Sequence, residues 1–229
     1  LSTMACPHPD SEDALEQATA DLFGKLGFAT DNLMHETFGV GDASSHGRET
    51  SSEVVLRQRL VPALAKLNPD LSQEALTLAL EDLCRDRSVL SPVNANREVH
   101  EALRNGLKVT YRDDDGTDIV DTVRVVDWEN PRNNDLLAAR QYWVTGDMYK
   151  CRADMVVFVN GLPLVLIELK GAHKNLYNAY KDNLSHYRSS IPQLFWYNAF
   201  VILSNGADSR IGSMTAEWGH FVDWKRINS

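Results

Sequence analysis

The sequence predicts an α/β domain, a mixed β-sheet covered by helices on both faces and carrying a helical insertion over about residues 50–106. Three observations point there. Upstream of about residue 106 the apolar residues recur at helical spacing, and downstream they alternate or run together as in strands. The segments "VVFV" and "LVLI", on either side of Asn160-Gly161, are apolar on both faces and read as central strands. Finally, 229 residues with 43% apolar content can bury a sizeable core.

The elements follow in order. "SEDALEQATADLFGKLGF" opens with Ser11 as a helix cap and acids in the first turn; Leu15, Ala18, Leu22, Phe23 and Leu26 recur at helical spacing, and Gly27 ends the run. The polar, Gly/Ser-rich stretch 39–53 reads as a loop. Helical runs follow from about Glu53 to Leu67, stopped at Asn68-Pro69, then over "SQEALTLALEDLCRD", then over "ANREVHEALRNG", ended by Gly106. "LKVTYRD" and "DIVDTVRVVDW" alternate as strands joined by the acidic turn "DDDG", with "QYWVTG" next. After the two central strands come a helix over "HKNLYNAYKDNLSHYRSS" and one more buried strand, "AFVILSNG". The whole reads as one domain over residues 1–229, with its catalytic sheet at about 107–205.

Composition narrows the class. No segment approaches the ~18 apolar residues of a membrane span, and no leader suggests export. Cys6, Cys84 and Cys151 are widely spaced and odd in number, which fits a reducing cytoplasm rather than a disulfide framework, and "CPH" at 6–8 is too short for a zinc motif. The net charge of −9 is uneven: residues 151–229 hold eight Lys/Arg and six Asp/Glu, hence +2, leaving −11 on residues 1–150. Global acidity therefore leaves room for a local phosphate site.

The chemistry concentrates in "RADMVVFVNGLPLVLIELKG", residues 152–171. Charges at the ends of such apolar strands call for partners or a metal. Glu168 and Lys170 are two apart on one strand and share a face, while Asp154 lies on the neighbouring strand. Converging carboxylates would suit a divalent cation such as Mg²⁺, with the Leu169 carbonyl as a further oxygen. A two-residue Asn-Gly loop pairs Val159 with Leu162 and sets Asp154 opposite Ile167, pointing it away from Glu168. Convergence therefore requires an odd offset: a three-residue loop over Asn160–Leu162, or a bulge near Asp154. The alternative is that these charges simply end strands at solvent as a surface ion pair.

That segment, together with "IPQLFWYNAFVILSNG", "RIGSMTAEWGHFVDWK", "VVLRQRLVPALAKLNPDL" and "NREVHEALRNGLKV", strongly resembles the N-terminal nuclease region of the R (restriction) subunit of type I restriction enzymes, over about residues 11–229. The resemblance implies a restriction-endonuclease-like PD-(D/E)XK core. It makes Asp154, Glu168 and Lys170 the catalytic residues of a Mg²⁺-dependent DNA endonuclease, the two carboxylates holding the metal and the lysine orienting water or steadying phosphate charge. A Glu from the first helix often supports such sites, Glu16 or alternatively Glu12. Asn183 and Tyr187 stand where many relatives carry Gln-x-x-x-Tyr, and the shorter Asn puts the Gln contact in doubt. The family's partners are double-stranded DNA and the M (methyltransferase) and S (specificity) subunits, and its setting is cytoplasmic.

R subunits also carry an ATP-driven motor after the nuclease. This chain has no G-x-x-x-x-G-K-[ST], and "FVDWKRINS" reads as the join, so the chain is expected to be a fragment needing ATP only in the full-length subunit. Two rivals stand beside this reading: a repair or recombination nuclease on the same core, and a catalytically silent docking module. His35, His100, His173, His186 and His220 are scattered, which favours surface or packing roles, and "LFWYNAF" reads as core. His173 and Lys174 follow the Glu-x-Lys strand closely enough to be weighed as DNA-phosphate contacts. No residue is assigned to DNA binding.

Overall fold

A computed structural model describes residues 11–112 and 115–224. Seven strands form one mixed sheet in the order β1-β4-β5-β6-β7-β8-β9: β1 (Ala29–Asn32), β4 (Leu136–Thr145), β5 (Lys150–Val159), β6 (Leu162–Leu169), β7 (Phe200–Ser204), β8 (Ser209–Gly212) and β9 (Val222–Asp223). The β1–β4 and β6–β7 pairs are parallel and the others antiparallel. The two apolar strands β5 and β6 sit inside the sheet, as their lack of a polar face requires.

Helix α1 (Glu12–Lys25) covers one face. Ser11 accepts from the Ala14 amide, Glu12 and Asp13 lie in the first turn and Lys25 in the last, all favourable to the helix dipole. Its inward stripe keeps Leu15 and Phe23 of the expected apolar positions, both packed on the core beneath, but not the other leucines. Glu16 and Ala20 are buried, whereas Leu22 and Leu26 are exposed. The small Ala20 lets the helix settle on a compact second core of Ala138, Met155, Val157, Ile167 and Leu169.

The opposite face carries the main core, built with α2 (Arg57–Leu67), α3 (Gln73–Cys84), α4 (Pro92–Asn105) and a helix over residues 176–190. Leu56, Leu60, Leu83, Val99, Tyr142, Phe158 and Leu166 all belong to it. The "LFWYNAF" stretch is core as well: Leu194, Phe195, Trp196 and Tyr197 are buried, and the Tyr197 hydroxyl donates to the Leu83 carbonyl at 2.7 Å. His100 is used the same way, its Nε2 lying 3.2 Å from the Tyr197 and Asn198 carbonyls.

β2 (Leu107–Arg112) and β3 (Asp118–Val123) form a separate two-stranded sheet rather than joining the large one. Val109 and Val123 supply its buried positions while Val120 is exposed, so this hairpin can offer only one face to the core. Half of its "DDDG" turn, residues 113 and 114, lies outside the described residues. The outer strands β1, β8 and β9, of which β1 and β9 are the edges, are two to four residues long and carry no apolar run for periodicity to detect.

The β5–β6 turn is clamped to α2. Asn160 (φ 51°) and Gly161 (φ 78°) make a tight turn with positive φ at both positions, and the Leu56 amide donates to the Gly161 carbonyl at 2.9 Å. A Cβ on Gly161 would lie 2.4 Å from the Leu56 carbonyl oxygen. Gly161→Ala is therefore expected to destabilise the fold by about 2–4 kcal/mol through overpacking plus backbone strain, read as a lower urea midpoint with an unchanged m-value.

Candidate active site

The odd offset in the central hairpin comes from a bulge in β6. The loop has two residues, pairing Val159 with Leu162 and Phe158 with Pro163; the next pair is Val157 with Val165. Leu164 is thus the extra residue. It lies on the partner strand near the turn rather than beside Asp154. Its carbonyl is not orphaned, since the Ala199 amide donates to it at 2.7 Å. Past the bulge Met155 pairs with Ile167, which brings Asp154 level with Glu168.

A second irregularity lies on the other side of Asp154. Ala139, Tyr142 and Val144 all enter the main core, as do Ala153 and Val156, so both strands switch face between these positions. Gln141, with φ 57°, marks the switch on β4. The ladder resumes in unchanged register, Arg140 with Met155 and Tyr142 with Ala153, leaving Gln141 opposite Asp154 outside it. Freed this way, Gln141 turns to α1 and donates to Glu16 Oε2 at 2.6 Å.

Three charged groups now meet at the end of β6. Asp154 and Glu168 lie level on neighbouring strands, near enough that the Asp154 charge disfavours ionisation of Glu168. The Leu169 amide donates to Asp154 Oδ2 at 2.8 Å, and Lys170 Nζ lies 3.5 Å from Glu168 Oε1. Glu168 is wholly buried, Asn183 Nδ2 donates to its Oε1, and its Oε2 has no hydrogen-bond partner. Burial and then the neighbouring Asp154 charge push the Glu168 carboxyl well above the usual range. Burial also pushes Asp154 up, opposed by the Leu169 amide and Lys170.

The residues expected to support the site arrive from two helices. Asn183 belongs to a π-helical turn, Ala179–Leu184, a rare widened turn that recurs at functional sites. Here the short Asn side chain reaches Glu168 itself. One turn on, the Tyr187 hydroxyl donates to the Arg152 carbonyl at 2.8 Å and ties the helix to β5. From α1, Glu16 lies within electrostatic reach of Asp154, and burial raises its pKa to about 7. Glu12 accepts from Lys174 Nζ at 3.0 Å and feels Lys170.

Residue types alone gave no hint of Gln141. The only trace of its role is that "QYWVTG" opens with an amide where an apolar residue would continue the strand.

The oxygens available to a divalent cation are those of Asp154 and Glu168 and the Leu169 carbonyl. Among the described residues no three His, Cys, Asp or Glu side chains gather as a metal-holding group. Mg²⁺ needs only one or two carboxylates, because it keeps several waters. Two neighbouring carboxyls, one with an unpartnered buried oxygen, fit that demand.

Glu16, Asp154 and Glu168 are all raised, so each binds a proton more readily folded than unfolded. The contribution of these three groups to stability without divalent ions should therefore be fullest below the ordinary carboxylate range and decline as pH rises from about 4.5 through about 7. Urea melts in EDTA across that window should show the decline. Glu16→Gln should make it shallower, and an equally steep decline in the variant would remove Glu16 from the account.

The fold and site together define a restriction-endonuclease-like α/β protein. Residues 9–220 match the family described as "Type I restriction enzyme R protein N terminus", and the chain belongs to that family. It is 31% identical over 227 residues to the "Type I restriction enzyme HindI endonuclease subunit" of Haemophilus influenzae, covering 95% of this chain and 20% of that relative. The "Putative type I restriction enzyme MjaIXP endonuclease subunit" of Methanocaldococcus jannaschii is 30% identical over 190 residues, covering 80% of this chain and 18% of its own length. A shorter match of 64 residues, 39% identical, links it to the "Type I restriction enzyme SsaAORF53P endonuclease subunit" of Staphylococcus saprophyticus, with 28% of this chain and 7% of that one covered. The chain thus spans about a fifth of the length of the first two relatives. No helix among the described residues is long and apolar enough to cross a membrane.

Proposed function

We propose that this chain is the endonuclease domain of a type I restriction enzyme R subunit, hydrolysing phosphodiester bonds of double-stranded DNA with Mg²⁺ and with no sequence preference of its own. The observation that carries the reading is the juxtaposition of Asp154 and Glu168 on paired strands, set level by the Leu164 bulge, with Lys170 Nζ 3.5 Å from Glu168. Asp154, Glu168 and the Leu169 carbonyl would hold the metal, which when bound supplies Lewis-acid polarisation of the scissile phosphate.

The chain's own groups then do the following. Glu168 and Asp154 give up the protons that their burial favours, so binding releases protons and tightens with pH. Lys170, 13% exposed and steered by Glu168, sets a cation where negative charge grows as water attacks phosphorus and the bond to the leaving sugar oxygen breaks. Asn183 fixes the Glu168 rotamer, and Leu169 N–H fixes that of Asp154. One such site cuts one strand, so a double-strand break takes two domains or two successive cuts. In the assembled enzyme the S subunit would select the target, the M subunit would methylate it, and an ATP-driven motor in the remaining length would bring DNA to this site.

The test is cleavage of a plasmid carrying the target site by the assembled enzyme, with ATP hydrolysis measured alongside. Lys170→Ala and Glu168→Gln should each lower cleavage by roughly 10³-fold, the several kcal/mol of one preorganised charge, and leave ATP turnover in place. Cleavage at the wild-type rate by either variant would remove the site from the chemistry.

A further inference from the structure

The arm made by β4 and β5 carries cations that the carboxylate site does not use. Beyond the cover of α1 this arm buries only one side, sending Tyr142, Val144, Cys151 and Ala153 into the main core. Its other side shows Trp143 directly opposite Arg152, and Thr145 opposite Lys150. Lys150 Nζ stands 4.7 Å from the centre of the Trp143 ring and Arg152 Cζ 5.3 Å from it, so two exposed cations pack on one aromatic ring. Arg152 also reaches Met34 Sδ at 3.4 Å.

Charge pairing separates these two from three cations near the site. Lys170 faces Glu168, Lys174 faces Glu12, and Arg210 faces Asp223. The ion pairs of the described residues take neither Lys150 nor Arg152. In a chain of net charge −9, unneutralised cations beside a catalytic carboxylate call for an anionic partner.

Their spacing says which kind. Lys150, Arg152 and Asp154 fall at alternate positions of one strand, in steps of about 6–7 Å, a spacing suited to successive phosphates of one nucleic-acid strand. The Arg152 backbone is also fixed, because its carbonyl accepts from the Tyr187 hydroxyl one helical turn beyond Asn183. The helix that holds Glu168 thereby also sets the position of the strip.

The geometry points to Lys150 and Arg152, propped on Trp143, as a phosphate-binding strip that grips the DNA strand and leads its backbone to Asp154 and Glu168. This rests on the nuclease reading, and the experiment keeps the two apart. Binding of a short fluorescein-labelled duplex is followed by anisotropy in EDTA, between about 50 and 200 mM salt. The double variant Lys150→Ala/Arg152→Ala should bind more weakly, and its slope of log affinity against log salt should shrink by roughly 1.8, the release expected for two phosphate contacts. Lys150→Arg/Arg152→Lys, which keeps both charges, should retain the wild-type slope and shows that the loss is not misfolding. An unchanged slope in the alanine variant, or no salt-dependent binding by the wild type, would overturn the strip. Glu168→Gln should keep the wild-type slope in the same buffer. Should that variant cleave DNA normally while the alanine variant loses slope, the nuclease assignment would fall and the strip would stand.

Discussion

In EDTA at pH 8, Glu168→Gln is expected to melt above the wild type. Glu168 is wholly buried beside Asp154, with one oxygen unpartnered and only Asn183 and Lys170 to offset its charge. Glutamine has the same shape, can accept from Asn183, and can donate to Asp154 where two acids now repel. The relief of one buried, poorly satisfied polar group amounts to about 1–3 kcal/mol, or roughly 2–12 °C for a chain of this size. Because the Glu168 pKa is raised, the gain should grow with pH: a protonated Glu168 resembles Gln, and an ionised one does not.

Saturating Mg²⁺ should reverse the order. A cation present at 100 times its dissociation constant would add about 2.7 kcal/mol to the wild type and far less to the variant. Differential scanning calorimetry with and without Mg²⁺ gives both comparisons. A wild type that melts higher in both conditions would mean that Glu168 is a structural group, with no strain for a ligand to relieve.

The second large effect lies outside the chemistry, at Arg48. Its guanidinium has no exposure, pairs with an equally buried Glu36 at 2.6 Å, and donates to the carbonyls of Glu53, Ser51 and Trp143 at 2.6, 3.0 and 2.8 Å. It also packs over the rings of Phe38 and Tyr142. Arg48→Leu would leave the Glu36 charge and three carbonyls without their partner. Breaking a buried pair from one side costs about 3–5 kcal/mol, so a fall in Tm of about 10 °C is expected. The double variant Arg48→Leu/Glu36→Leu should recover part of that loss, since a pair removed together leaves no lone charge. If the double variant melts no higher than the single one, the carbonyl bonds rather than the ion pair hold the loop.

Arg48 also shows where sequence reading stops. The stretch 39–53 is polar and Gly/Ser-rich, and it does read correctly as a loop; nothing in it says that an arginine turns inward and becomes the pin of that loop. The central hairpin is the opposite case. Its apolar runs place β5 and β6 inside the sheet, and the period of two requires an odd offset for Asp154 to meet Glu168. What the residue pattern cannot choose is the location of the extra residue. Leu164 looks like any other apolar position of β6, and its bulge is held by the Ala199 amide from a segment 35 residues away. Helix α1 is legible in its caps and in Leu15 and Phe23, which pack on the second core, but not in the rest of its buried stripe. Leu22 and Leu26 make the more hydrophobic face, yet the helix turns Glu16 and Ala20 inward because a small residue and a carboxyl fit what lies beneath. Asn183 shows tertiary context changing the meaning of a departure: a side chain one methylene short still contacts Glu168 from the π-helical turn.

The central claim is that Asp154 and Glu168 together hold a divalent cation. Its most direct test is a crystal of this chain bound to a short DNA duplex, soaked in Mn²⁺ and measured at the manganese edge, beside the same soak of Glu168→Ala. One anomalous peak between the Asp154 and Glu168 carboxylates, absent from the variant, is the predicted result. A wild-type complex with DNA in place and no peak there, or a peak that survives in the variant, would contradict it.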